Sequence, residues 1–371
     1  MSGNDLYIPE PPGTDDKRNK TMLRISRNGS LSETRRGNSG LLHPVLVACA
    51  FLALGISSGW TQGKANNPTQ NPAFQKDLAA ANAGDVKAQM RVAKFYYHGP
   101  NRARNYGEAA RWFKAASQQG SQEGSAWLGS MLMYGHGVPK DYDRGIALIT
   151  QAANAHDPVG LRFAGELAQR VARDDVQAAS LFQQAADLGD ANAMAWLGRM
   201  YLMGRGVPQD RSKAISLFNQ GAAKGDQWAE LALGRIFLQK DQKNPNRAIQ
   251  LFTDSAAQGN AIAALRLGLM LQSGKDVPQD LAAAARYLRQ SAGSGYAPGE
   301  RALGHTFELG IGVPVNQVYA FIWYNLASQQ GDKVAGERLA LLTGTMTPAD
   351  LEKAQHTLSR QNVRIYADAG Q

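Results

Sequence analysis

Six histidines, a single cysteine and a set of glycine-paired turns are the side chains with the most chemical reach in this 371-residue chain. His43, His98, His136, His156, His305 and His356 could ligate a metal or carry protons. None stands four residues from another, and none sits in a carboxylate box, the spacings that gather ligands on one helix face. Each reads as a turn or surface residue. Cys49 alone can form neither an intramolecular disulfide nor a multi-cysteine metal site. Gly135-His136-Gly137, Gly204-Arg205-Gly206 and Gly310-Ile311-Gly312 have the form of phosphate-cradling turns, but no strand precedes them and each joins two helical patterns. No nucleophile elbow or catalytic triad pattern occurs. The sequence therefore supplies no catalytic residue, cofactor site or metal set.

Recognition is the remaining chemistry, and its candidates emerge only once the elements that carry them are laid out. A glycine-like break recurs at Gly84, Gly120, His156, Gly189, Gly225, Gly259, Gly295 and Gly331, at intervals of 33 to 36 residues, so that seven units tile the chain from 84 to 331. Within each unit, positions 4, 8, 9 and 12 after the marker are small or apolar, as in Ala193, Leu197, Gly198 and Tyr201, which is one face of a first helix, A. Counting back from the next marker, large apolar pairs such as Leu217-Phe218 and Trp323-Tyr324 define a second helix, B, with small residues beside them. The residue after each marker is a helix N-cap type, Asp85, Ser121, Asp157, Asp190, Asp226, Asn260 or Asp332, with Tyr296 the exception. The glycine closes one helix in the left-handed conformation and its successor opens the next. Between A and B, Gly-x-Gly-Val-Pro ends one helix, and Asp141, Asp210 or Asn316 caps the other. Units three and five lack the full loop.

Small-x3-Leu-Gly-x2-Tyr, then Gly-x-Gly-Val-x2-Asp, then Ala-x2-aromatic pair-x2-Ala-Ala-x2-Gly, over residues 84–331, resembles the Sel-one-like repeat, a relative of the tetratricopeptide repeat. The resemblance implies an all-α, right-handed α-solenoid of about seven helix–turn–helix repeats, with residues 332–371 as C-terminal capping helices. It also implies a non-catalytic scaffold or regulator that binds another protein, with roles in envelope-complex assembly or signalling, including control of exopolysaccharide production. A cell-wall-active or peptide-hydrolysing enzyme built on the same repeats is the alternative. Cysteine-rich relatives linked to hydrolysis have cysteine pairs that this chain lacks.

In such arrays helix A lines the concave side. Positions 3, 7 and 10 after the markers then share a stripe carrying Trp127, Phe163, Trp196, Arg199, Trp228, Arg235 and His305. Aromatic and Arg enrichment suits a partner-binding surface. The same rings could instead fill space between successive A helices.

The amino-terminal region reads differently. Residues 1–40 lack an apolar period and read as a disordered cytoplasmic tail, and 61–83 as a linker leading into a first helix. Between them, 41–60 carries no charge and matches a bilayer span. Arg24, Arg27, Arg35 and Arg36 precede it while only Lys64 follows closely. This asymmetry predicts an inner-membrane anchor, with the tail cytoplasmic and the repeats periplasmic. A cleaved signal, leaving a periplasmic or secreted protein, is the alternative, and a start at Met22 would favour it. The formal charge of +9 is scattered except in the first unit. With no continuous basic stripe, no nucleic-acid partner is expected.

Overall fold

The computed structural model describes residues 69, 71–99 and 104–359. The tail at 1–40, the proposed span at 41–60 and the chain beyond 359 lie outside the described residues. Among the described helices, none is long and apolar enough to cross a membrane.

The described chain is an all-helical solenoid of 17 α-helices, with no strand. After α1 (Pro72–Asn82), each unit contributes an A and a B helix. The pairs are α2 (Val86–His98) with α3 (Tyr106–Gln118), and α4 (Gln122–Tyr134) with α5 (Tyr142–Asn154). Next come α6 (Pro158–Leu167) with α7 (Asp175–Asp187), α8 (Ala191–Met203) with α9 (Arg211–Ala223), and α10 (Gln227–Ile236) with α11 (Pro245–Ala257). Then follow α12 (Ala261–Ser273) with α13 (Leu281–Gly293), α14 (Ala297–Leu309) with α15 (Gln317–Gln329), and the final α16 (Lys333–Thr343) with α17 (Pro348–Ser359). Each helix packs on the one before and the one after.

The caps follow the sequence. Asp85, Ser121, Asp157, Asp190, Asp226, Asn260 and Asp332 each accept a backbone N–H of the A helix they open, while Tyr296 offers no side-chain cap. Each such bond contributes about 1 kcal/mol. The marker preceding each of them takes positive φ. His156 holds this conformation at φ 56°, where an L side chain is strained by about 1–2 kcal/mol. His156→Gly should therefore stabilise the array by about 1 kcal/mol, read as a rise in urea midpoint at unchanged slope.

Core packing pairs the bulky B residue with the small A residue of its own unit. Phe182, Phe218 and Phe252 are fully buried, and a Cβ at Gly165, Gly198 or Gly234 would lie 2.5–2.8 Å from those rings. The close helix approach that the small–large alternation predicts is thus where the core forms. Unit three, lacking the glycine loop, ends α6 with a π-helical turn, Ala168–Ala172, closed by Arg173 at φ 57°. Widening the last turn brings the chain to Asp174, which caps α7.

Candidate functional site

Helix A carries two kinds of side chain at the unit boundaries: rings that bind one unit to the next, and charged groups that line a cleft. The rings obey a symmetry about the marker. Phe113 and Trp127 stand seven residues either side of Gly120 and stack at 5.4 Å and 7°. Phe182 and Trp196 flank Gly189 in the same way and stack at 5.6 Å and 6°. Each pair joins helix B of one unit to helix A of the next. Trp127 is 9% exposed, and its Nε1–H is buried with no acceptor among the described residues. Phe163 is buried and meets Trp127 edge-on at 5.2 Å.

The other stripe residues lie further along. Trp196 is half-buried, with the Arg199 guanidinium 5.3 Å from its ring centre and that of Arg170 at 5.9 Å. Trp228 and Arg235 share α10; Trp228 is half-buried between two core clusters and Arg235 is buried. His305 is half-buried on α14, with α12 between it and α10 in chain order. The stripe thus divides into a packed pair, Trp127 with Phe163, and a more open set of Trp196, Arg199, Trp228 and Arg235.

A cleft of about 290 Å³ crosses successive A helices, lined by Lys94 of α2, Glu123 and Trp127 of α4, Arg162 of α6, Asn192 of α8 and the α10 cap Asp226. Arg162 is its organising charge. Only 8% of its side chain is exposed, and it reaches Glu166 at 3.2 Å in its own helix and the α8 cap Asp190 at 3.3 Å in the next unit. Burial pushes the Glu166 carboxyl upward, an effect that Arg162 and Arg170 oppose. Asn192 donates to Asp226 across the following boundary at 3.1 Å, and burial raises the Asp226 carboxyl. The stripe misses Arg162, Asp190 and Asp226 because the cap role of the two aspartates accounts for their presence by itself. The signal lies in the spacing. Arg301, like Arg162, stands six residues after its marker, and it reaches the next cap, Asp332, at 2.9 Å.

A second polar device sits behind the face. Gln258 donates to Glu230 at 2.8 Å and Gln330 to Glu300 at 2.7 Å, while Gln119 donates to Gln89 at 3.0 Å, each clasping helix A to helix B of one unit. Glu230 is 6% exposed, and its carboxyl is pushed up to about 7 by burial first, then by Asp254 and Asp226. A folded-state value above the unfolded one means that the folded protein holds the proton more tightly. Its stabilising effect is present in acid and lost as pH rises through about 7. Glu230→Gln, which reproduces the uncharged clasp of unit one, should raise stability at pH 8 by up to about 3 kcal/mol, with the difference vanishing below pH 4.5. Urea titrations at the two pH values measure it.

A family model described as the Sel1 repeat matches residues 86–121, 123–157, 161–190, 191–226, 229–260, 261–296, 297–332 and 335–356. The chain is a Sel1-repeat protein. The last of these Sel1 matches falls on α16 and α17, the pair that the seven-unit spacing treats as a cap. A similar solved structure is that of a protective antigen present in uropathogenic Escherichia coli strains, which displays an SLR fold. It is 26% identical with a TM-score of 0.57, over 80% of this chain and 64% of the antigen, so the match spans less than two thirds of that protein. A Sel1 repeat protein from Oxalobacter formigenes is 29% identical with a TM-score of 0.52, over 76% of this chain and 83% of that one. Sel1-repeat proteins are in general protein–protein interaction scaffolds. Among the described residues of this one, no three His, Cys, Asp or Glu side chains gather as a metal site requires.

Proposed function

We propose that this Sel1-repeat chain is a non-catalytic scaffold or regulator whose A-helix face binds another protein. Residues 41–60 tether it to the inner membrane, with the amino-terminal tail cytoplasmic and the repeats periplasmic. There it takes part in assembling an envelope complex or in signalling, with exopolysaccharide output as one process under its control. The observation that carries the binding assignment is the cleft. Its walls come from equivalent stretches of α2, α4, α6 and α8 and from the α10 cap, so it has no centre within any one unit. A site of that construction follows an extended partner segment across several units.

A photo-crosslinking residue at Asn192, in the cleft, should capture one discrete protein in cells, and the same residue at Asn219, exposed on α9, should not. Equal capture at both positions, or none at Asn192, would reject the assignment. A topology reporter fused after Gln371 should be active in the periplasm; activity confined to the cytoplasm would reject the tether.

A further inference from the structure

The charge on the A-helix face changes along the array. In units one to three, positions 3, 6, 7 and 10 after the marker include the acids Glu123 and Glu166. In units four to six the same positions hold no Asp or Glu. They hold Arg199, Arg235 and Arg266, framed by Trp196 and Trp228 and joined by Leu269, which is 43% exposed. Unit seven continues with His305 and no acid at these positions. The acids that these helices do carry are otherwise engaged. Asp190 and Asp226 cap helix N-termini, and Glu230 is buried against Gln258.

We propose that this face, on Arg199, Arg235 and Arg266, docks an extended acidic segment of the partner, one in which carboxylates alternate with apolar side chains. The proposal rests on the scaffold reading above and adds the partner's chemistry. Complementarity argues for it: arginine pairs with carboxylates in a planar two-bond geometry, and aromatic rings beside it lower the cost of desolvation. Arg199 and Arg235 each hold a further interaction inside the chain and are half-buried or buried, so they are positioned before a ligand arrives. Arg266 is exposed. The chain's own ends do not fit as the occupant, because residues 1–40 carry a net +2 and residues 332–371 are neutral. Nucleic acid fits less well, since phosphate backbones are met by exposed, mobile cations, whereas Arg235 is 9% exposed and lies among rings and aliphatic groups.

The test uses the full chain and an array of 12-residue peptides with fixed leucine content, in which the other positions are Glu, Gln or Lys. The best binders are then titrated in solution by fluorescence anisotropy. Binding should rise with Glu content, and the Glu series should exceed the Gln series at least tenfold. Because Arg266 is exposed, Arg266→Glu should leave the melting curve unchanged and weaken Glu-peptide binding at least tenfold; Arg199→Gln provides a second, milder loss. Binding independent of Glu content, or unaltered by Arg266→Glu, would overturn the proposal, as would a single-stranded oligonucleotide binding more tightly than any peptide at equal salt. If those failures came while Asn192 crosslinking persisted, the scaffold reading would stand and the acidic partner would fall.

Discussion

Gly206→Ala should destabilise the junction between units three and four by about 3–5 kcal/mol, far more than the same change at Gly120. Both glycines have positive φ, 67° and 89°, so both substitutions incur the left-handed penalty of about 1–2 kcal/mol. Their surroundings separate them. A Cβ at Gly120 meets nothing within 4 Å, whereas one at Gly206 would lie 2.0 Å from the Asp175 carbonyl oxygen and 2.3 Å from its carbon. That backbone is the first turn of α7, in the preceding unit. It cannot yield without moving the helix, so overpacking adds cost toward the top of its usual range of about 1–3 kcal/mol. The next-door Arg205 ion-pairs with Asp175 at 3.0 Å, locking the same junction. Gly137 and Gly312 meet Tyr106 and Leu281 in the same relation, so the contact is a repeated inter-unit joint. Hydrogen exchange should show α7 and α8 losing protection in Gly206→Ala, because in a stacked array each unit is held by its neighbours. Equal losses at Gly206 and Gly120 would show that backbone conformation alone sets the requirement.

Arg162→Met should cost about 3–5 kcal/mol at pH 8, because it leaves Glu166 and Asp190 buried beside an uncharged side chain. Both carboxylates are at most 14% exposed, and the guanidinium is the cation that reaches them both. The penalty should shrink toward pH 5. Burial already raises Glu166, and losing Arg162 raises it further, so the carboxyl accepts a proton in mild acid and ceases to be a buried charge. Arg162→Met with Glu166→Met should recover much of the loss, since the pair is then replaced by packed apolar groups. Urea unfolding of the three proteins at pH 5 and pH 8 tests this. A loss independent of pH would assign the role of Arg162 to packing over the Phe163 ring, which lies 4.2 Å from its guanidinium carbon.

Most of the helical framework is visible in the residues because each local signal agrees with the period. Asp or Ser after each marker, glycine at the marker and the Gly-x-Gly-Val-Pro turns describe local geometry, and local geometry depends on neighbours in sequence. Even the exceptions are legible, with Tyr296 uncapped and unit three departing where its loop glycines are missing. The candidate site was less accessible. Trp127 and Trp196 occupy one position of the repeat, yet the first is buried beneath Tyr97, His98 and Phe163 while the second is half-buried between Arg170 and Arg199. Repeat position fixes the direction of a side chain, whereas its exposure depends on which residues the adjoining units place above it.

By itself, the sequence determined the helix count per unit, the caps, the turns and the family, because those follow from spacing and from the conformational preferences of glycine, proline and aspartate. Only the tertiary structure decided that the second glycine of each loop is a joint against the preceding unit. It likewise decided that Arg162 binds two acids across a unit boundary, and that Gln258 clasps a buried Glu230. These contacts join residues about 30 positions apart, or depend on a backbone atom rather than a residue type. Their energies come from burial, which no single repeat possesses until its neighbour is stacked upon it.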